Sequence, residues 1–149
     1  MITAVYVANN FLRRGKADEI EITPLKLQKL IYFLYKDYLK RTNDMLFSEP
    51  FETWTLGPVV PSVYAEFSSY GKNAIQTYAK DSQGNSYIVT EQGIFKECID
   101  KVWRQCKNFK GEELSSITHQ EGTAWTKAKD AKERYLRIED IKNEPEQFA

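Results

Sequence analysis

The chain has 149 residues, 42% of them hydrophobic and 13% aromatic, enough for one globular domain that buries about two-thirds of its unfolded surface. Its 21 basic and 21 acidic residues cancel, which argues against a general nucleic-acid or membrane-surface binder. No apolar run reaches the roughly 20 residues of a membrane span, and the N-terminus lacks a signal peptide's layout, so a cytoplasmic protein is expected.

Residues 3–14 place Ala4, Val5, Ala8, Phe11 and Leu12 at helical spacing, with Gly15 suited to the position just past the helix end. A polar link, 16–22, leads into the stretch on which the rest is expected to assemble. Thr23 is a good N-cap and Pro24 fits the first helical position, where no amide hydrogen is needed. From there to Arg41, the residues Leu27, Leu30, Ile31, Leu34, Tyr35 and Tyr38 share one face, and Leu25, Tyr32 and Leu39 widen it. A helix that apolar needs several neighbours to cover it. The narrow remaining arc carries Lys26, Lys29, Lys36 and Lys40 with Phe33 among them, a basic stripe in a region, 23–41, that has five basic residues and one acid. A solvated face would more typically place acids at i±4; Asp37, able to pair with Lys40 or Arg41, is the exception. The stripe is therefore the first candidate for a partner surface.

Residues 45–55 alternate loosely, and Pro50 restricts them to an edge or irregular strand. The run Leu56-Gly57-Pro58-Val59-Val60-Pro61 is more constrained than a connection requires, and Pro61 can start a helix carrying Val63, Tyr64, Phe67 and Tyr70 that ends at Gly71. Residues 74–89 read as either a small hairpin or a loop. Thr90 is expected to cap an amphipathic helix with Ile94, Phe95, Cys98, Ile99, Val102, Trp103 and Cys106 on one face. Short helices are expected from Gly111 through Ile117, around Trp125 and Ala128, and over 138–144. The fold class is mainly α: a compact helical domain around a central helix at about 24–41, with at most short strands near 47–56 and 75–89. No repeat, linker or low-complexity tract divides residues 1–149.

Cys98 and Cys106 lie about 12 Å apart along one helix, too far for a bridge, and read as core thiols in a reducing compartment. His119 is the sole histidine. Catalysis by it would need Ser115, Ser116, Cys106 or Glu121 as a partner, none of them in a recognisable motif, and a histidine hydrogen-bonded near a helix end is the plainer reading. One histidine and two cysteines match no zinc spacing, and the glycines form no phosphate loop, so neither metal nor cofactor is expected.

The segments TPLKLQKLIYFLY, FETWTLGPVVPSVYAEFSSYG and LSSITHQEGTAWTKA together resemble the Panacea domain of SocA-like antitoxins and of phage-associated proteins of the GepA type, over about residues 3–145. The signature positions are Leu25, Gln28, Lys29, Tyr32, Trp54, Gly57, Pro58, Val59, Tyr64, Phe67, Gly71, Thr118, His119 and Trp125, most of which look architectural. Ala124 stands where proline is commoner in the family. The resemblance implies a mostly helical, non-enzymatic antitoxin that neutralises a cognate protein toxin by direct binding, with hand-over to a cytosolic protease as an adaptor in the SocA-like branch. The alternatives are a phage-associated protein that binds a host factor and, behind it, a hydrolase-type enzyme centred on His119; nucleic-acid binding ranks last. Within the leading reading, the partner is expected on Lys26, Lys29, Phe33 and Lys36 together with the corner formed by Gly57, Pro58, Val59 and Pro61.

Overall fold

The computed structural model describes residues 2–148. Helix α1 spans Ala4–Asp18, and its N-cap Thr3 accepts from the Tyr6 amide. It runs four residues beyond the expected Leu12–Arg14 end, and Gly15 lies inside it. The glycine is there for packing rather than termination, since a Cβ at Gly15 would stand 2.8 Å from both the Ile20 carbonyl oxygen and Ile22 Cδ1. The helix ends instead at Glu19, in the left-handed region.

Helix α2, Pro24–Thr42, starts as the sequence dictates, with the Thr23 hydroxyl accepting from the Lys26 amide and Pro24 in the first turn. Leu27, Leu30, Ile31, Tyr32 and Leu34 are wholly buried. Helices α1, α3 (Pro61–Phe67), α4 (Gly93–Cys106), α5 (Gly111–Thr118) and α7 (Ile138–Lys142) all pack against α2. Helix α6, Ala124–Asp130, fills the gap between α7 and a two-stranded antiparallel sheet. The sheet comprises β1 (Glu52–Trp54) and β2 (Gly57–Val59), with Thr53 opposite Pro58. The expected mainly α architecture is the one observed.

One local expectation is corrected, and the choice between hairpin and loop over 74–89 falls to the loop. Helix α4 begins at Gly93 with Gln92 as N-cap, three residues after Thr90. Residues 74–92 contain no strand, because two adjacent asparagines of α1 take the place of a partner strand. Asn9 Nδ2 donates to the Ala79 and Tyr87 carbonyls while its Oδ1 accepts from the Ala79 amide. Asn10 does the same for Val89, accepting from its amide and donating to its carbonyl. Buried peptide groups are thereby satisfied without a ladder. Helix α3 gives way to a 3-10 turn, Ser68–Tyr70, which Gly71 closes at φ 59° as expected.

Candidate functional site

Except at Lys40, the basic stripe of α2 is not a surface. Lys26, Lys29, Phe33 and Lys36 are buried, Lys29 completely, and each lysine is a staple to a distant segment. Lys26 Nζ donates to the Lys107 carbonyl at 2.5 Å and Lys29 Nζ to the Pro58 carbonyl at 2.9 Å. Lys36 Nζ donates to Glu144 Oε2 at 2.8 Å, and Lys40 Nζ to the Glu144 carbonyl at 2.6 Å. The long aliphatic stems lie along the core and deliver the charge to acceptors beyond it. Burial lowers the pKa of Lys26, and it brings Lys29, which has no carboxylate partner, down to about 7. Phe33 is sealed by Phe148, edge-on with ring centroids 5.0 Å apart. The expectation that a partner docks on Lys26, Lys29, Phe33 and Lys36 is overturned by this burial. The second half of the stripe, Phe33, Lys36 and Lys40, is engaged by the chain's own C-terminal stretch through Phe148, Glu144 and Gln147.

Glu144 is the centre of that arrangement. Its buried carboxylate accepts from Tyr32 Oη, from Lys36 Nζ and from the backbone amide of Ala124. The last donor explains the residue at 124, since a proline there would have no hydrogen to give.

Gly57, Pro58 and Val59 are also buried, whereas Pro61 is exposed. Gln28 holds the corner as a peptide group would: its Nε2 donates to the Val60 carbonyl and its Oε1 accepts from the Val60 amide. Gly57 sits at φ +117°, and a Cβ on it would lie 2.6 Å from Thr118 Oγ1 and 3.0 Å from Lys29 Cε. Lys29 and Thr118 therefore belong to one tightly packed joint between α2, β2 and α5.

What this joint presents to solvent is a groove of about 760 Å³. The start of α2 contributes Leu25 and Gln28, and the sheet contributes Trp54, Leu56 and Val59. One wall is Val63, Tyr64, Phe67 and Gly71 of α3 and its 3-10 turn; the other is Ser115, Ser116 and His119 of α5. Leu56 and Tyr64 are about half exposed (55% and 47%) although large and apolar. Tyr64 stacks edge-on against Trp54 at 4.7 Å, and Trp54 in turn accepts at its carbonyl from the indole of Trp125. The signature residues Leu25, Gln28, Trp54, Val59, Tyr64, Phe67, Gly71 and His119 thus converge from three separate segments on one groove. Lys29, Gly57, Pro58 and Thr118 form the joint behind it and Trp125 bonds to the Trp54 carbonyl, whereas Tyr32 is turned to Glu144. Leu56, prominent at the rim, was missed by sequence reading, and its only signal was an unpaired leucine beside Gly-Pro in a tight turn.

His119 lies against Trp125, with ring centroids 4.0 Å apart. Burial lowers its pKa, helped by the positive charges of Lys29 and Lys129, and its Nε2 is buried without a hydrogen-bond partner among the described residues. The neighbouring hydroxyls are committed elsewhere: Ser115 Oγ donates to the Leu56 carbonyl and Ser116 Oγ to the Glu112 carbonyl. Cys106 is buried and its thiol is pushed up to about 12 by that burial. The geometry therefore gives the candidate histidine no hydrogen-bonded nucleophile. Among the described residues no group of His, Cys, Asp and Glu is placed to hold a metal ion, and no helix is long and apolar enough to cross a membrane.

The family model for the SocA-like antitoxin Panacea domain matches residues 27–126, which carry all of these groove walls except the first turn of α2. The chain belongs to that family. It is similar to the antitoxin SocA of Caulobacter vibrioides (strain NA1000 / CB15N), with 33% identity over 130 residues that cover 83% of this chain and 69% of the relative. No solved structure matches it. Family membership supports an antitoxin role.

Proposed function

We propose that this protein is the antitoxin of a toxin–antitoxin pair and neutralises its toxin by direct protein–protein binding, catalysing no reaction. The toxin docks in the groove between α3 and α5. One observation carries this reading: three separated motifs of an antitoxin family meet on a single open apolar groove, and half-exposed Leu56 and Tyr64 stand at its rim. Large apolar side chains left at the surface beside a concave pocket are the usual anchors of a protein interface. The alternative centred on His119 has no such support, because the hydroxyls near it are donated to backbone carbonyls.

Co-expression with the toxin tests the proposal. Leu56→Asp combined with Tyr64→Lys is expected to abolish rescue of growth while the purified variant keeps the melting temperature of the parent to within about 6 °C, since both residues are exposed and the main loss is the Tyr64–Trp54 ring contact. Full rescue by the folded variant would refute the groove as the docking site. Charge reversal at Lys29 and Lys36 is expected to act differently, by destabilising the fold, since both are sealed in the core.

A further inference from the structure

We infer that the segment of the toxin held in this groove is an amphipathic helix. It presents large apolar side chains to Leu25, Leu56 and Tyr64, directs a carboxylate to Lys72 and directs a cation to Glu112. The inference rests on the antitoxin reading above and names the chemistry of the partner at that same site.

The backbone around the groove excludes the other common mode, addition of an extended strand. The outer edge of β1 is taken, because the Thr53 amide donates to the Arg134 carbonyl and the Leu136 amide to the Phe51 carbonyl. The outer side of β2 is taken as well, with the Pro58 carbonyl held by Lys29 and both polar groups of Val60 held by Gln28. At the turn itself, the Trp54 carbonyl is bonded to Trp125 and the Leu56 carbonyl to Ser115. An extended peptide pressed onto this apolar floor would find these peptide groups already engaged, and its own would be stripped of water without replacement. A helix brings its backbone hydrogen bonds with it and needs only side-chain contacts. The helix-in-groove mode fits two helical walls flanking an apolar floor.

The charged side chains supply register. Lys72, just after α3 and its 3-10 turn, and Glu112, in the first turn of α5, are the charged residues that line the groove, and they stand on opposite walls. Neither forms an ion pair among the described residues. The contrast is with α2, whose lysines are all engaged by internal acceptors. An opposite charge on each side of the occupant would fix its direction along the groove and speed encounter, as rim charges do.

The test uses the full chain with Tyr64 replaced by the photo-cross-linker p-benzoylphenylalanine, co-purified with its toxin, irradiated and mapped by mass spectrometry. A second chain carrying the cross-linker at exposed Tyr135, away from the groove, serves as the control. The expected result is a cross-link from position 64 to one toxin segment with apolar residues at i, i+3 or i+4 and i+7. A synthetic peptide of that segment should gain helical circular dichroism when it binds. Lys72→Glu and Glu112→Lys should each weaken that binding about two- to fivefold at low salt, with little effect at high salt. A complex that forms but cross-links only from position 135 overturns this inference and the groove while leaving toxin binding intact. A peptide that binds without gaining helicity, or two charge variants that bind as the parent does, overturns the helical, charge-registered occupant alone. Failure to form any complex overturns the antitoxin reading and this inference with it.

Discussion

Replacing Glu144 by glutamine should be among the most damaging isosteric changes in this protein. Lys36 and Glu144 form an ion pair at 2.8 Å with side-chain exposures of 5% and 0%. Glutamine can still accept from Tyr32 and the Ala124 amide through its remaining oxygen, so those bonds survive. Its amide nitrogen, however, would face the Lys36 ammonium, donor against donor, and leave that cation with Gln147 Oε1 at 3.2 Å and the Phe33 ring at 5.2 Å. Removing one partner of a buried pair costs about 3–5 kcal/mol. For a chain of this size each kcal/mol moves the melting temperature by about 2–4 °C, so a fall of roughly 6–20 °C is expected. Lys36→Met in the same chain removes the stranded charge, and the double variant should recover at least about 2 kcal/mol relative to the sum of the single changes. Urea unfolding followed by circular dichroism at 222 nm gives all four corners of the cycle. A Glu144→Gln cost below about 1 kcal/mol, or strict additivity with Lys36→Met, would refute the reasoning that Glu144 holds Lys36 in the core.

Lys29 should make stability depend on pH in the opposite sense to a paired lysine. Its folded-state pKa is lowered to about 7, so between that value and the ordinary lysine range the unfolded chain binds the extra proton and stability rises with pH. Relative to Lys29→Met, the parent should be least stable at and below pH 7 and should gain ground steadily toward pH 10, as measured by chemical denaturation; a constant difference between the two would contradict this. Gly57→Ala should destabilise by about 2 kcal/mol or more, because φ +117° is hostile to a side chain and the new Cβ would meet Thr118 and Lys29. Thermal melts check it, and a loss under about 0.5 kcal/mol would be inconsistent with that joint. Cys98 and Cys106 are buried with thiols pushed up to about 12, chiefly by burial, so both should resist a disulfide reagent in the native protein and react once it is unfolded. Asn9→Leu should release the 79–89 loop and expose it to limited proteolysis while α2 stays protected from hydrogen exchange.

The course of α2 is legible because local signals agree: a threonine cap, a proline in the first turn and a 3.6-residue apolar period all describe the same helix. What helical periodicity could not convey is where the polar arc points its charges. The acceptors of Lys26, Lys29 and Lys36 lie 81, 29 and 108 residues away, and no spacing rule links them. The scarcity of acids at i±4 was the available sign that these lysines answer to distant groups, and it is equally the sign of a partner surface. Residues 74–89 read equally as hairpin and loop for a related reason. Ile75, Tyr78 and Val89 pack against the core as strand residues would, but the backbone of the segment is held at Ile75 by the Ile22 carbonyl and at Ala79, Tyr87 and Val89 by Asn9 and Asn10, two polar residues in the middle of a helix. Of the site, the motif residues around Trp54–Gly71 and His119 were visible in order. Their meeting in one groove is a product of α3 and α5 both packing on α2.

The most direct test of the account is the affinity of the purified toxin for the parent chain and for Leu56→Asp, a change at a residue 55% exposed on the groove rim. Isothermal titration should show tight binding by the parent and a loss of at least about tenfold in the variant, the effect of removing an interface anchor, while the two proteins unfold at the same urea concentration. Equal affinities would contradict the claim that this groove is where the toxin is held.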